Sequence, residues 1–161
     1  MSLLDIENRR VIIDRRAEAD RIAALKPGRK LSAEAAAVLR GALRHGHAEI
    51  SRRLAAEPGR GLAAAQANAY LHDQLVRLAY EFVEARIVGA PIGDGLALVG
   101  LGGTGRGEMA PYSDLDLMFL TARAPTPEQE QAAEAILHLL WDLKLKVGHS
   151  IRSAPQLLAL A

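Results

Sequence analysis

Apolar residues recur at helical spacing through the first ninety positions and at strand spacing only after them. Leu39, Leu43, Ile50 and Leu54 mark one face of a segment that opens with Ser32 and Glu34 and closes at Pro58 and Gly59. Leu71, Leu75, Leu78 and Phe82 mark the next, and Val76, Tyr80, Val83 and Ile87 widen its stripe, which predicts burial on more than one side. A more charged helix is predicted over residues 6–25, stopping at Pro27 and Gly28. At Gly89 the texture changes. GAPIGDG reads as a linker, and LALVGL, a short apolar run bounded by glycines, reads as a buried strand. LDLMFL, beginning at Leu115, reads as a second. Pro125 and Pro127 precede a helical pattern over 128–143, carried by Ala133, Ile136, Leu137, Leu140 and Leu143, in which Trp141 reads as a core residue. LKLKVGHSIR alternates apolar and polar through Leu143, Leu145 and Val147 and predicts a third strand, after which PQLLALA begins another helix. The order predicts an α+β chain in two parts: a helical region over 1–90, then a partial sheet with flanking helices over 91–161.

Composition narrows the classes. The chain has 161 residues, half of them apolar, enough for one domain with a helical appendage. Cysteine is absent, which excludes a disulfide framework or a thiolate metal site and fits a reducing, cytoplasmic setting. The N-terminus has no basic segment followed by an apolar one, and no apolar run approaches the roughly 20 residues needed to cross a bilayer, so no membrane role is expected. Net charge is +1 but uneven, with 13 Lys/Arg against 8 Asp/Glu in residues 1–60 and 7 against 11 in 61–161. The basic half is interspersed with acids and nearly free of aromatics for base stacking, so it reads as solvated helix surface and no nucleic-acid partner is expected. The last residues stop without a glycine cap or a basic last turn, the expectation for a cut chain.

The chemistry concentrates in residues 99–120, VGLGGTGRGEMAPYSDLDLMFL. A strand ending in Gly102 and Gly103 can turn sharply and let phosphate oxygens approach backbone N–H groups. Asp114 and Asp116, at i and i+2, project from one face of a strand while Leu115 and Leu117 point to the core. Two carboxylates side by side repel unless a cation sits between them, which points to Mg²⁺ or Mn²⁺. Arg106 is placed to clamp phosphate or to pair with Glu108 or an Asp of the same loop. Ser113 either donates to a phosphate or starts the strand. A dinucleotide-binding fingerprint is met only loosely by Gly100, Gly102 and Gly105 and lacks its acidic partner about 20 residues on. His72 and Asp73 spell an HD dipeptide inside a helix without partners, and His45 and His47 point to different helix faces.

A glycine pair followed after ten residues by Asp-apolar-Asp resembles the signature of the polymerase-β-like nucleotidyltransferase superfamily. More narrowly, GGTGRGEMAPYSDLDL and LWDLKLKVGHSIR resemble the N-terminal part of the bifunctional PII uridylyltransferase and uridylyl-removing family, with the two blocks and their helical lead-in covering most of 60–155. The resemblance implies transfer of UMP from UTP to a tyrosine of the PII signalling protein, with Asp114 and Asp116 as catalytic metal ligands and Gly102, Gly103, Arg106 and Ser113 on the nucleotide. His149 would lie at the edge of that site. Thr104 departs from the family, which usually has an aromatic there. The superfamily's third carboxylate has no matching position, so the chain alone is expected to be inactive. The family's hydrolytic HD domain and glutamine-sensing ACT domains are also missing. The competing readings are a glutamine synthetase adenylyltransferase-like domain, separated by UTP against ATP binding, and a non-catalytic nucleotide-binding or protein-interaction module. An exposed sheet edge would favour self-association.

Overall fold

The computed structural model describes residues 6–92 and 95–159. Among these residues seven α-helices and three strands follow one another as α1 (Arg9–Ile12), α2 (Arg15–Ala23), α3 (Leu31–Ala56), α4 (Gly61–Phe82), β1 (Leu96–Gly100), α5 (Gly102–Arg106), β2 (Leu115–Thr121), α6 (Pro127–Asp142), β3 (Val147–Ser153) and α7 (Ala154–Leu158). A π-helical segment, Val83–Val88, prolongs α4 and ends at Gly89, whose φ of 73° suits glycine. Helices followed by a small mixed sheet make the chain α+β, as its pattern predicts.

The single helix expected over 6–25 is two helices. Ile13 is extended and buried, and the Asp14 side chain accepts the Ala17 N–H to open α2 afresh. A side-chain cap supplies locally what helix continuity would have supplied, and it aims Ile12 and Ile13 inward together. The third strand also begins later than its alternation suggested. Leu143 closes α6, Lys144 takes a φ of 63°, and pairing starts at Val147.

Leu39, Leu71, Leu75, Leu78, Phe82, Ile136 and Leu140 are all buried and join Phe119 of β2 in one apolar cluster. Helices and sheet therefore share a core. At the α3–α4 contact Gly46 lets Leu71 come so close that an added Cβ would lie 2.6 Å from its methyls. The α6 start is fixed by a capping box between Thr126 and Gln129 with Pro127 at the first helical position.

The sheet runs β1-β2-β3. β1 pairs antiparallel with β2, and β3, reached through α6, pairs parallel with it. Leu98, Leu117 and Phe119 share the side that faces the helices, where α4 and the sheet enclose a crevice of about 470 Å³. Met118 and Asp116 alternate to the opposite side, and Met118, though buried, is no part of the core cluster.

Candidate nucleotide and metal site

Alternation along β2 sets the site. Leu115 and Leu117 are 1% and 3% exposed, whereas Asp116 is half-buried and Asp114, just before the strand, is exposed. Asp116 therefore faces away from the side on which Leu115 and Leu117 pack, and Asp114 stands exposed two residues ahead of it, just outside the strand.

Asp116 is held in place from three directions. Its carbonyl accepts the Leu101 N–H at 2.9 Å, and its own N–H donates to the Thr104 hydroxyl at 3.2 Å. Its carboxylate fills the space that two glycines leave. A Cβ on Gly102 would lie 3.3 Å from Oδ2, and one on Gly148, the direct partner of Asp116 in β3, would lie 2.5 Å from Oδ1. The carboxylate thus sits on bare backbone between the start of α5 and the middle of β3.

The glycine-rich stretch is more than a turn. Gly102 takes a φ of 53° and opens the five-residue α5. Gly103 and Gly105 make room for the protein's own backbone, since added Cβ atoms would meet the Glu108 and Gly100 carbonyl oxygens at 2.7 and 2.5 Å. Thr104 ties this turn to β2, and its hydroxyl also reaches the Met109 sulfur at 3.8 Å. Nothing in the spacing of Thr104 announces this role. Gly148 left a fainter signal, a glycine in the interior of an alternating strand.

Among the described residues neither Asp114, Asp116 nor Arg106 forms an ion pair, so the pairing of Arg106 with Glu108 is not made. Arg106 is exposed at the end of α5, and Ser113 is exposed, with its backbone N–H on the Ala110 carbonyl. Two unpaired carboxylates roughly 7 Å apart, the i to i+2 spacing of a strand, repel by about 2 kcal/mol near a protein surface. An oxygen-only donor pair with no protein cation beside it suits a hard divalent ion. No group of three or more His, Cys, Asp or Glu side chains able to hold a metal occurs among the described residues.

The remaining histidines lie elsewhere. His149 is the partner of Leu117 in β3, on the helix side, where its ring stands edge-on to Trp141 at 5.7 Å. It is thus turned away from the acids, and Trp141, 39% exposed between His138 and His149, is not the core residue its position suggested. The His72 ring donates to the Asn68 carbonyl at 2.8 Å inside the core, and His45 bonds to the Val11 carbonyl. The crevice beside α4 is lined by Leu115 and Leu117 and does not include the two acids.

Sequence comparison decides the family. Over 97% of its length this chain is 45% identical to a bifunctional uridylyltransferase/uridylyl-removing enzyme of Novosphingobium aromaticivorans. Over 95% and 92% it is 41% and 42% identical to enzymes of the same name from Rhodospirillum rubrum and Azospirillum brasilense. The chain belongs to the bifunctional uridylyltransferase/uridylyl-removing enzyme family. It spans 17–18% of the length of these uridylyltransferase relatives. No family model matches the chain, and no solved structure does. No helix among the described residues is long and apolar enough to cross a membrane.

Proposed function

We propose that this chain is the nucleotide- and metal-holding portion of a uridylyltransferase that moves UMP from UTP to a tyrosine hydroxyl of the PII signalling protein in the cytoplasm. The observation that carries the reading is the seat of Asp116. A carboxylate lodged between Gly102 and Gly148, with the exposed Asp114 two residues before it and no ion pair on either among the described residues, is a prepared cation site beside a glycine-rich bend. The uridylyltransferase name of the relatives favours UTP over ATP.

In this reading Asp114 and Asp116 hold Mg²⁺ or Mn²⁺, which when bound neutralises the triphosphate and organises in-line displacement at the α-phosphorus. Asp116 keeps a fixed orientation because its backbone is tied on both sides. The β and γ phosphates approach the α5 end of the site beside Gly102, while Gly103 lets the Glu108 carbonyl close the bend behind it; Arg106 reaches the phosphates with a two-pronged guanidinium, and Ser113 donates a hydroxyl from just before β2. In the transfer the tyrosine oxygen bonds to the α-phosphorus, pyrophosphate leaves, and the hydroxyl proton passes to a base. The two acids are the donor set among the described residues, and the superfamily's third carboxylate would come from elsewhere in the longer relatives. The chain alone then binds nucleotide without completing transfer.

The test is calorimetric titration of the chain with UTP, with and without Mg²⁺, beside an Asp114→Asn/Asp116→Asn variant and an ATP comparison. Expected are magnesium-dependent binding, a preference for UTP, and a loss of at least tenfold in affinity in the double variant. Binding that ignores both magnesium and the two substitutions would overturn the site; a preference for ATP would transfer it to adenylyl chemistry.

A further inference from the structure

Asn68 lies in α4, 6% exposed, and the mechanism above makes no use of it. Its Nδ2 donates to two successive carbonyls of the loop that leads into β2, Met109 at 3.1 Å and Ala110 at 3.4 Å. Met109 is itself fully buried, its N–H donates to the Ala65 carbonyl at 3.1 Å, and its sulfur meets the hydroxyl of Thr104. That same hydroxyl accepts the Asp116 N–H. A continuous path of direct contacts therefore runs from Asn68 through Met109 and Thr104 to Asp116.

The second carbonyl that Asn68 holds begins a tight turn. Ala110 O also accepts the Ser113 N–H at 3.1 Å, with Pro111 and Tyr112 between them. Tyr112 takes a φ of 66°, at the turn position that ordinarily calls for glycine or asparagine. A bulky residue keeps that conformation only where its surroundings over-determine it. Tyr112 is 99% exposed, so its own side chain contributes no packing, and the restraint must come through the backbone. Pro111 fixes one dihedral and Asn68 fixes the carbonyl. The residue type fits the task, because a primary amide offers two N–H groups on one nitrogen, whereas Asp offers only acceptors and Ser a single donor. The His72 ring, donating to the Asn68 carbonyl, steadies the same turn of α4.

We propose that Asn68 is a positioning residue of the nucleotidyl-transfer site, clamping the strained turn around Tyr112 so that Asp114 and Asp116 enter β2 in fixed register. The inference rests on the reading of these two acids as the metal ligands. It makes α4 a working part of the site although the helix lies on the other side of the sheet.

The test uses the full chain with Asn68→Ala, Tyr112→Gly and the pair combined, read by amide hydrogen exchange and by magnesium-dependent UTP titration. Asn68→Ala should speed exchange at the Met109, Ser113 and Asp116 amides at least tenfold, leave Ile136 and Leu137 in α6 at their original rates, and weaken UTP binding about tenfold. Glycine at position 112 removes the strain, so the combined variant should recover most of both losses, which a merely space-filling Asn68 would not allow. Uniform acceleration throughout the core, an unaffected loop, or no recovery on adding Tyr112→Gly would overturn the clamp. If Asn68→Ala does not fold, the near-isosteric Asn68→Asp, which sets acceptors against two carbonyls, must give the same pattern. A parent chain that binds no UTP with magnesium would instead refute the site reading and the positioning role with it.

Discussion

Gly148 and Gly105 are both confined to glycine for want of space, yet the atoms in the way differ, and so do the expected consequences of filling it. A methyl at 148 strikes the far end of the Asp116 side chain, which can turn aside. Gly148→Ala should therefore cut magnesium-dependent UTP affinity tenfold or more while unfolding stability stays within about 1 kcal/mol of the parent. A methyl at 105 strikes the Gly100 carbonyl, which cannot move without the end of β1. Gly105→Ala should lose roughly 1–3 kcal/mol in urea unfolding through overpacking. If Gly148→Ala keeps full affinity, the carboxylate is not held as described. Only half of this was legible beforehand. Asp114, Asp116 and the glycine cluster stand within sixteen residues of one another, but the Asp116–Gly148 pairing is a fact of register between strands 32 residues apart. Thr104 was equally silent, since a hydroxyl's partner is fixed by the turn and not by sequence spacing.

Among the elements, long apolar stripes were read well because their burial demands a 3.6-residue period. Leu71, Leu75, Leu78 and Phe82 are all buried in α4 as expected. The errors fall where local side-chain chemistry or a left-handed residue outweighs the period, at Asp14 between α1 and α2 and at Lys144 before β3. The α3–α4 pair also carries a pH response. The His47 and His72 rings stand 5.6 Å apart, and burial, the larger influence on each, pushes both below the usual 6.5, with the Asn68 side chain partly offsetting this at His47. A histidine lowered in the folded state binds its proton more readily when unfolded. Its contribution is thus complete above pH 6.5 and fades as pH falls below it, at up to about 1.4 kcal/mol per pH unit for a fully distinguished ring and less for the half-exposed His47. Urea unfolding between pH 7.5 and 5 should show this decline, and His47→Gln/His72→Gln should flatten it. An unchanged slope in that variant would assign the decline to other groups.

For the molecule as a whole, helices and sheet share one core, while Asp116 looks out from the face opposite the crevice beside α4, with Asp114 exposed just ahead of it. The chain spans 17–18% of its relatives' length, and the proposed transfer chemistry needs a further carboxylate. Incubated with labelled UTP and PII, the chain alone is therefore expected to give no detectable uridylylation, whereas a full-length relative does under the same conditions; measurable transfer by the chain would show that two acids suffice. The fold class could be read early because the strand-like runs all follow Gly89, with helical periods before it and between them. The site's depth could not, because its supports come from α4, α5 and β3 together.

The two sides of the Asp116 seat reach it by different routes. Gly102 comes from the segment just upstream, whereas Gly148 arrives only after the chain has run out through α6 and returned in parallel. On the ribosome, the acids and the bend emerge well before the backbone that closes over them. A nascent chain halted short of residue 147 holds both acids proposed as metal ligands and still lacks the floor on which Asp116 rests, so on the proposed reading any affinity for a cation begins only with the docking of β3.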